Sequence, residues 1–325
     1  MQKRTTIRKI ISFGAILFLI LVILLCAAKI AESAMRNDVQ EEVVTKKTIT
    51  VDGVAYFPRQ DINVLLVMGI DQTGPVESSG YYRNSGAADM VLLLIFDEKN
   101  KECDTLYLNR DTMLHMQVLG VSGDYAGTTY GQLALAHTYG TGLEDSCENT
   151  KNTVSDFLGG VNIDYYLAMN MDAIAVLNDA VGGVTVDVQD DFSAVDPSIG
   201  KGIMTLNGEQ AIHFVRTRKD VGDQLNLSRI DRQGMYITAF ENALRDKVEQ
   251  DESFASDVYD ELLPYIVTDC SVNTISGMLN RYADYAVKPL VTPVGRNELG
   301  EEYYEFYADE EALKALVLEL FYAPK

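Results

Sequence analysis

Ile62–Ile70 reads INVLLVMGI and runs directly into Asp71, and Met90–Phe96 reads MVLLLIF directly after Asp89. Short, uninterrupted apolar runs bounded by polar residues are strands covered on both faces, because a strand with one wet face would alternate. Thr105–Leu108 and Tyr165–Met169 read as further strands, and Val184–Val188 follows the Gly182-Gly183 break as another. Helical periodicity occupies Gln132–Tyr139, Asn149–Leu158, Met171–Val181, Gly208–Val215 and Ser228–Val248. Near the end, Tyr303–Tyr307 reads as a strand and Asp309–Phe321 as a helix. Strands alternating with helices predict an α/β fold, a three-layer α/β/α sandwich around a mixed central sheet. About 265 residues follow Pro58, enough for one large core, so 58–325 is expected to be a single domain.

Two local signals sharpen this. Thr48–Phe57 alternates around Asp52-Gly53, the pattern of a small hairpin. Asn207 with Gln210 three residues on predicts a capping box, and Ser228 is placed to cap the following helix. The polar, glycine-rich stretch Gln72–Ala88 reads as a long loop between two core strands, a place where compact domains often put function.

Ahead of the domain, Ile10–Ala28 carries no charged residue, and its 19 positions as a helix reach ~28 Å, close to the hydrocarbon thickness of a bilayer. Lys3, Arg4, Arg8 and Lys9 precede it, which orients the tail 1–9 to the cytoplasm and everything beyond Lys29 outside. The run exceeds the apolar core of an ordinary signal peptide, so an uncleaved single-pass anchor is expected, with 29–57 as stalk and hairpin. Residues 37–325 hold 21 basic against 47 acidic side chains. Such a surface opposes nucleic acid, whose binding depends on neutralising many phosphates. Cys103, Cys147 and Cys270 allow at most one internal bridge, so buried free thiols are expected rather than a disulfide scaffold. The chain contains no G-x-S-x-G, H-E-x-x-H or Walker A pattern. His213 falls within the apolar pattern of its helix and reads as packed. The 18 tyrosines, against no tryptophan, show no spacing that marks a sugar groove.

Against this acidity, Arg216, Arg218, Lys219, Arg229 and Arg232 crowd into one stretch, HFVRTRKDVGDQLNLSRIDRQ. Guanidinium forks stay charged and pair bidentately with phosphate or carboxylate, so the knot reads as an anion clamp. Arg229 in the first turn of its helix, with Arg232 one turn later on the same side, would add to the positive potential of a helix N-terminus. Carboxylates fall at strand ends: Asp71 after Ile70, Asp89 before Met90, and Arg110-Asp111 after the strand beginning near Thr105. Two carboxylates facing a phosphate are a site for Mg²⁺.

Taken in order, LLVMGID, ADMVLLLIFDEKNK, LNRDTM, NIDYYLAMNMDAIAVLNDAVGGVTVDV, LNGEQAIHFVRTRK and SRIDRQ resemble the LytR–CpsA–Psr family of cell-envelope phosphotransferases. The resemblance implies transfer of a polyprenyl-pyrophosphate-linked anionic glycopolymer, of teichoic acid or capsule type, to a peptidoglycan hydroxyl. It also implies a prenyl chain in an apolar groove and a pyrophosphate held by arginines and Mg²⁺ or Mn²⁺. By position, Asp71 and Asp89 match the metal-binding aspartates. Arg110 and Asp111 match the Arg-Asp motif, with Asp111 expected to orient Arg110 and either Asp89 or Asp111 to assist deprotonation. Arg216 and Arg218 match R-x-R, while Arg229, Arg232 and Gln233 match R-x-x-R-Q. Ala87 replaces an arginine common in the family, and Arg83 is the candidate substitute; Asn226 and the stretch Gln132–Ala134 also depart from the pattern. Hydrolysis of the same lipid, or non-catalytic binding in the envelope, are the alternative readings.

Overall fold

The computed structural model describes residues 48–51, 53–217, 221, 226–250, 254–271, 274, 281–282, 285–300 and 303–324, excluding some side chains in the helices spanning 226–262. The expected tail, membrane span Ile10–Ala28 and stalk to residue 47 lie outside the described residues, as does Arg218. Among the described residues no helix is long and apolar enough to cross a membrane.

The two apolar runs do form the centre of the fold. β3 (Ile62–Ile70) lies between β4 (Ala88–Asp97), antiparallel, and β8 (Tyr165–Asn170), parallel. β5 (Glu102–Leu108) and β12 (Ala286–Val287) extend one side, and β11 (Ile266–Thr268) closes the other, giving a mixed six-stranded sheet. This is the mixed α/β fold with a mixed central sheet that the sequence predicts. Alternate residues of β3 and β4 go to opposite faces, as strand geometry requires. Leu65, Val67, Leu92 and Leu94 pack with α2 (Asp172–Ala180), α3 (Gly208–Arg216), α4 (Asn226–Gln250) and α5 (Phe254–Leu262). Val64, Leu66, Met68, Val91 and Leu93 pack with α1 (Glu144–Phe157), α6 (Glu310–Phe321) and the 3₁₀ helix Leu133–Thr138. Every one of these strand side chains is essentially sealed from water, which is why the sequence here is continuous rather than alternating.

Four small sheets decorate the core. β1 (Ile49–Val51) and β2 (Val54–Pro58) form the expected hairpin, with Gly53 at φ +80, and β15 (Tyr322–Pro324) adds to it. β9 (Val184–Val188) pairs with β10 (Gly202–Leu206), β6 (Met113–Leu119) with β7 (Tyr125–Gln132), and β13 (Gly295–Leu299) with β14 (Tyr304–Ala308). The capping box at Asn207 is present, with reciprocal bonds of 3.0 Å to and from Gln210. Two expectations need correction. The long helix starts at Asn226, so Ser228 lies inside its first turn instead of capping it. Gln132–Tyr139 forms a short 3₁₀ helix over Leu133–Thr138, about two turns set between β7 and α1. Cys103, Cys147 and Cys270 are buried and free.

Candidate functional site

Sheet register assembles the site. β3 ends at Ile70, β4 begins at Ala88 beside it, and β5 runs antiparallel to β4 with Leu108 opposite Val91. Carrying that register two residues further brings Arg110 next to Asp89 at the same edge where Asp71 leaves β3. The alignment of β3 and β4 also slips here: Gly69 faces Met90 and Ile70 faces Ala88, which leaves Asp89 unpaired. Asp89 therefore lies within β4 as the extra residue of a β-bulge, not ahead of the strand. Bulges re-aim a side chain, a device common beside active sites.

The loop between the two aspartates is fastened at several points. Asp71 donates its N–H to the Ala87 carbonyl at 3.0 Å. Asn170 and Asp172 hold Gly74. Buried Asn84 donates to the carbonyls of His137 and Gly140, and the His137 ring meets the Gly86 carbonyl at 2.8 Å. Burial keeps His137 below the ordinary imidazole pKa, despite that bond, so it serves as a neutral strut.

Around this edge the charges alternate. Arg216, the last residue of α3, donates from Nη2 to Asp71 Oδ1 at 2.8 Å. Arg110 donates from Nη1 to Asp89 Oδ1. Asp111 Oδ1 lies 3.5 Å from Arg110 Nε without a hydrogen bond, and that buried Nε has no partner of its own. Thus Asp89, rather than Asp111, orients Arg110. Asp111 is instead gripped by Gln132, whose Nε2 donates to Asp111 Oδ1 at 3.1 Å and to the Tyr304 carbonyl at 2.9 Å. Gln132 is not among the expected site residues; the signal for it is the stretch Gln132–Ala134, which stands at a family motif position but departs from the pattern.

Asp89 is pushed above the usual carboxylate range by burial, with Asp71 and Asp111 adding repulsion and Arg110 opposing. Asp111 is also raised by burial against the pull of Arg110. Both acids thus hold protons more readily than free carboxylates, a setting suited to proton transfer. For a divalent cation the candidate donors would be Asp71 and Asp89, near enough for the charge of one to affect the other. Among the described residues no group of three or more His, Cys, Asp or Glu side chains gathers to hold a metal. Two carboxylates fit Mg²⁺ when phosphate oxygens and water complete its shell.

The remaining arginines separate by role. Arg232, expected to bind substrate, is 4% exposed, and all three guanidinium nitrogens are committed within the protein. Nε donates to the Phe214 carbonyl at 3.0 Å, Nη2 to the Thr217 carbonyl and Nη1 to Asp190. It anchors the carbonyl end of α3, the element carrying Arg216. Arg83, expected to replace the arginine missing at Ala87, lies 4.0 Å over the Tyr139 ring and joins none of the ion pairs at Asp71, Asp89 or Asp111. Arg229 and Gln233 lie in the first turns of α4, but their side chains fall outside the described residues. His213 bonds Asp196 at 3.0 Å, away from the cluster.

Two arginines and three carboxylates thus meet where the central strands of this α/β protein end. The chain belongs to the LytR_cpsA_psr family, whose model matches residues 22–320. Among its relatives is a polyisoprenyl-teichoic acid–peptidoglycan teichoic acid transferase, TagU of Bacillus subtilis, 30% identical over 184 residues, covering 57% of this chain and 53% of that one. The chain thus spans about half the length of curated relatives that it matches. Bacillus subtilis TagV shares the fold at a TM-score of 0.56 and 24% identity, over 81% of this chain and 96% of that one. A Streptococcus agalactiae protein does so at 0.60 and 22%, over 80% and 86%.

Proposed function

We propose that the chain is a membrane-anchored phosphotransferase that joins a polyprenyl-pyrophosphate-linked anionic glycopolymer to peptidoglycan. The observation that carries this reading is the meeting of the Arg216–Asp71 and Arg110–Asp89 pairs at one sheet edge. Family membership and the transferase names of the relatives support it. Residues 10–28 would hold the domain at the outer face of a bacterial membrane, beside the lipid donor, with the tail 1–9 in the cytoplasm. The helices covering both faces of the sheet make the three-layer sandwich a suitable frame, with an apolar groove taking the prenyl chain.

Phosphoryl transfer asks the protein mainly for alignment and charge neutralisation. Arg110 and Arg216 turn from their carboxylates to the non-bridging oxygens of the diphosphate, in contacts that strengthen as charge builds on those oxygens. An acceptor hydroxyl oxygen attacks the phosphorus that carries the glycan. Its proton passes to Asp111, the carboxylate Arg110 leaves without a hydrogen bond, and the P–O bond breaks with its electron pair leaving on polyprenyl phosphate. Asp71 and Asp89 would hold Mg²⁺ or Mn²⁺, which would supply further charge neutralisation.

The test uses the full chain in detergent micelles with a polyprenyl-diphosphate glycopolymer and peptidoglycan. Glycan transfer that Arg216→Ala abolishes supports the reading. Donor cleavage to free glycan with no transfer means a hydrolase, and binding without turnover at any Mg²⁺ concentration means a binding protein.

A further inference from the structure

Both outlying hairpins beside the cluster are tied to one residue. The Asp111 carbonyl accepts the Phe306 N–H of β14 at 2.9 Å, and the Asp111 carboxylate is held through Gln132 of β7, which also binds the Tyr304 carbonyl. On β7, Tyr130 shares a face with Gln132, about 7 Å away at the rise of a strand. Across the ladder His115 is the direct partner of Tyr130, with their rings 4.9 Å apart. On β14, Tyr307 stands beside Arg296, which covers its ring at 5.0 Å, and donates its hydroxyl to Glu305 at 2.6 Å. The Glu305 bond raises the Tyr307 phenol to about 12, with a further push from neighbouring Tyr130. Tyr130 is 51% exposed, and Tyr307 is half-buried.

Aromatic faces ringed by hydrogen-bonding side chains have a specific use. A hexose presents an apolar C–H face and a rim of hydroxyls, so it needs a ring to lie on and donors and acceptors around it. A lipid chain would need continuous aliphatic surface, whereas on the outward face of β6 and β7 Met113 is surrounded by His115, Gln117, Thr128, Tyr130 and Gln132. The same face leads directly to Asp111.

We propose that the β6–β7 and β13–β14 hairpins form the acceptor subsite, where a strand of N-acetylated hexosamines lies on Tyr130 and Tyr307 and presents a hydroxyl to Asp111. This rests on the transferase reading and assigns its acceptor side to named residues. Gln132 is the joint: it fixes Asp111 relative to the sugar platform, so acceptor and base are positioned by one side chain.

The probe is peptide-free glycan strand released from peptidoglycan, offered to the full chain in micelles. Tyr130→Ala combined with Tyr307→Ala is expected to raise the acceptor KM about tenfold, the scale of losing aromatic stacking contacts. The donor KM should stay within about twofold, because the diphosphate contacts are elsewhere. Tyr130→Phe keeps the ring and is expected to keep the acceptor KM. An unchanged acceptor KM in the double variant, or an equal rise in donor KM, overturns the subsite. Should the wild type transfer nothing, calorimetric binding of the strands still decides: binding lost in the double variant supports the platform, and absent or unaltered binding refutes it.

Discussion

Arg216 and Asp71 are 145 positions apart in the chain and meet at 2.8 Å, one at the end of helix α3 and the other at the first residue beyond β3. Their side chains are 51% and 42% exposed. A pair so open to water contributes at most about 1 kcal/mol to folding. Stability therefore does not explain why the ends of two elements converge. What the pair does is keep a guanidinium at the sheet edge, partly hydrated and easily surrendered to a stronger anion.

Arg216→Ala is accordingly expected to leave thermal stability nearly unchanged and to weaken donor diphosphate binding by roughly 10- to 100-fold, the loss of one charge-assisted bond pair. Arg216→Lys keeps the charge but not the fork, and should recover only part of the loss. Titration of polyprenyl diphosphate into the full chain checks both. A large drop in melting temperature for Arg216→Ala would mean that the pair is structural.

Arg232 predicts the opposite pattern. Arg232→Ala removes a buried cation from Asp190 and leaves the Phe214 and Thr217 carbonyls without their donor. Breaking a buried pair costs about 3–5 kcal/mol, so the melting temperature should fall and activity should fall with it. Refolded protein assayed well below its melting point should still bind the donor within a few fold. If binding vanishes while the melt is unchanged, Arg232 contacts substrate after all.

Sequence distinguishes these two arginines poorly, because membership of an R-x-R or R-x-x-R motif looks the same for a ligand contact and for a buried strut. The difference lies in the carbonyls that the end of α3 leaves unpaired. By contrast, β3, β4 and the Asn207 cap could be read directly, since continuous apolar runs and a capping box are local signals. The bulge at Asp89 could not, because it depends on how β3 and β4 register against each other. The β6–β7 hairpin did alternate, with Leu114 and Met116 inward and His115 and Gln117 outward, yet glycine and threonine on β7 obscured its partner. β13 is exposed throughout, so no burial pattern exists to betray it.

Asp89 sets function against stability. Its carboxyl pKa in the folded chain lies above the ordinary value, so the native state binds that proton more tightly than the unfolded chain does. The stability linked to this group is therefore greatest below the ordinary carboxylate pKa of about 3.9. It is lost as pH rises through that value to the raised folded one. Asp89→Asn removes the burial cost of the charge, so at pH 7 the variant should melt at or above wild type, with the gap closing in acid. Its transfer rate should drop sharply, because Arg110 loses its orienting partner. A clearly lower melting temperature at neutral pH would show that the Arg110 attraction outweighs burial.

Asp111 sets the pH dependence of the reaction. Burial raises its pKa, and a base must be ionised to accept a proton, so the acid limb of kcat/KM should fall above the ordinary carboxylate range. Gln132 donates to the carboxylate at 3.1 Å and so favours its charged form. Gln132→Leu removes that donor, and the acid limb should then move to higher pH, with activity lost first on the acidic side. Asp111→Asn should abolish the limb and lower kcat by about 10²–10⁴, the usual contribution of a general base. If Gln132→Leu leaves the limb in place while Asp89→Asn removes it, the proton goes to Asp89. Arg110 would then have to release that carboxylate before the hydroxyl could attack.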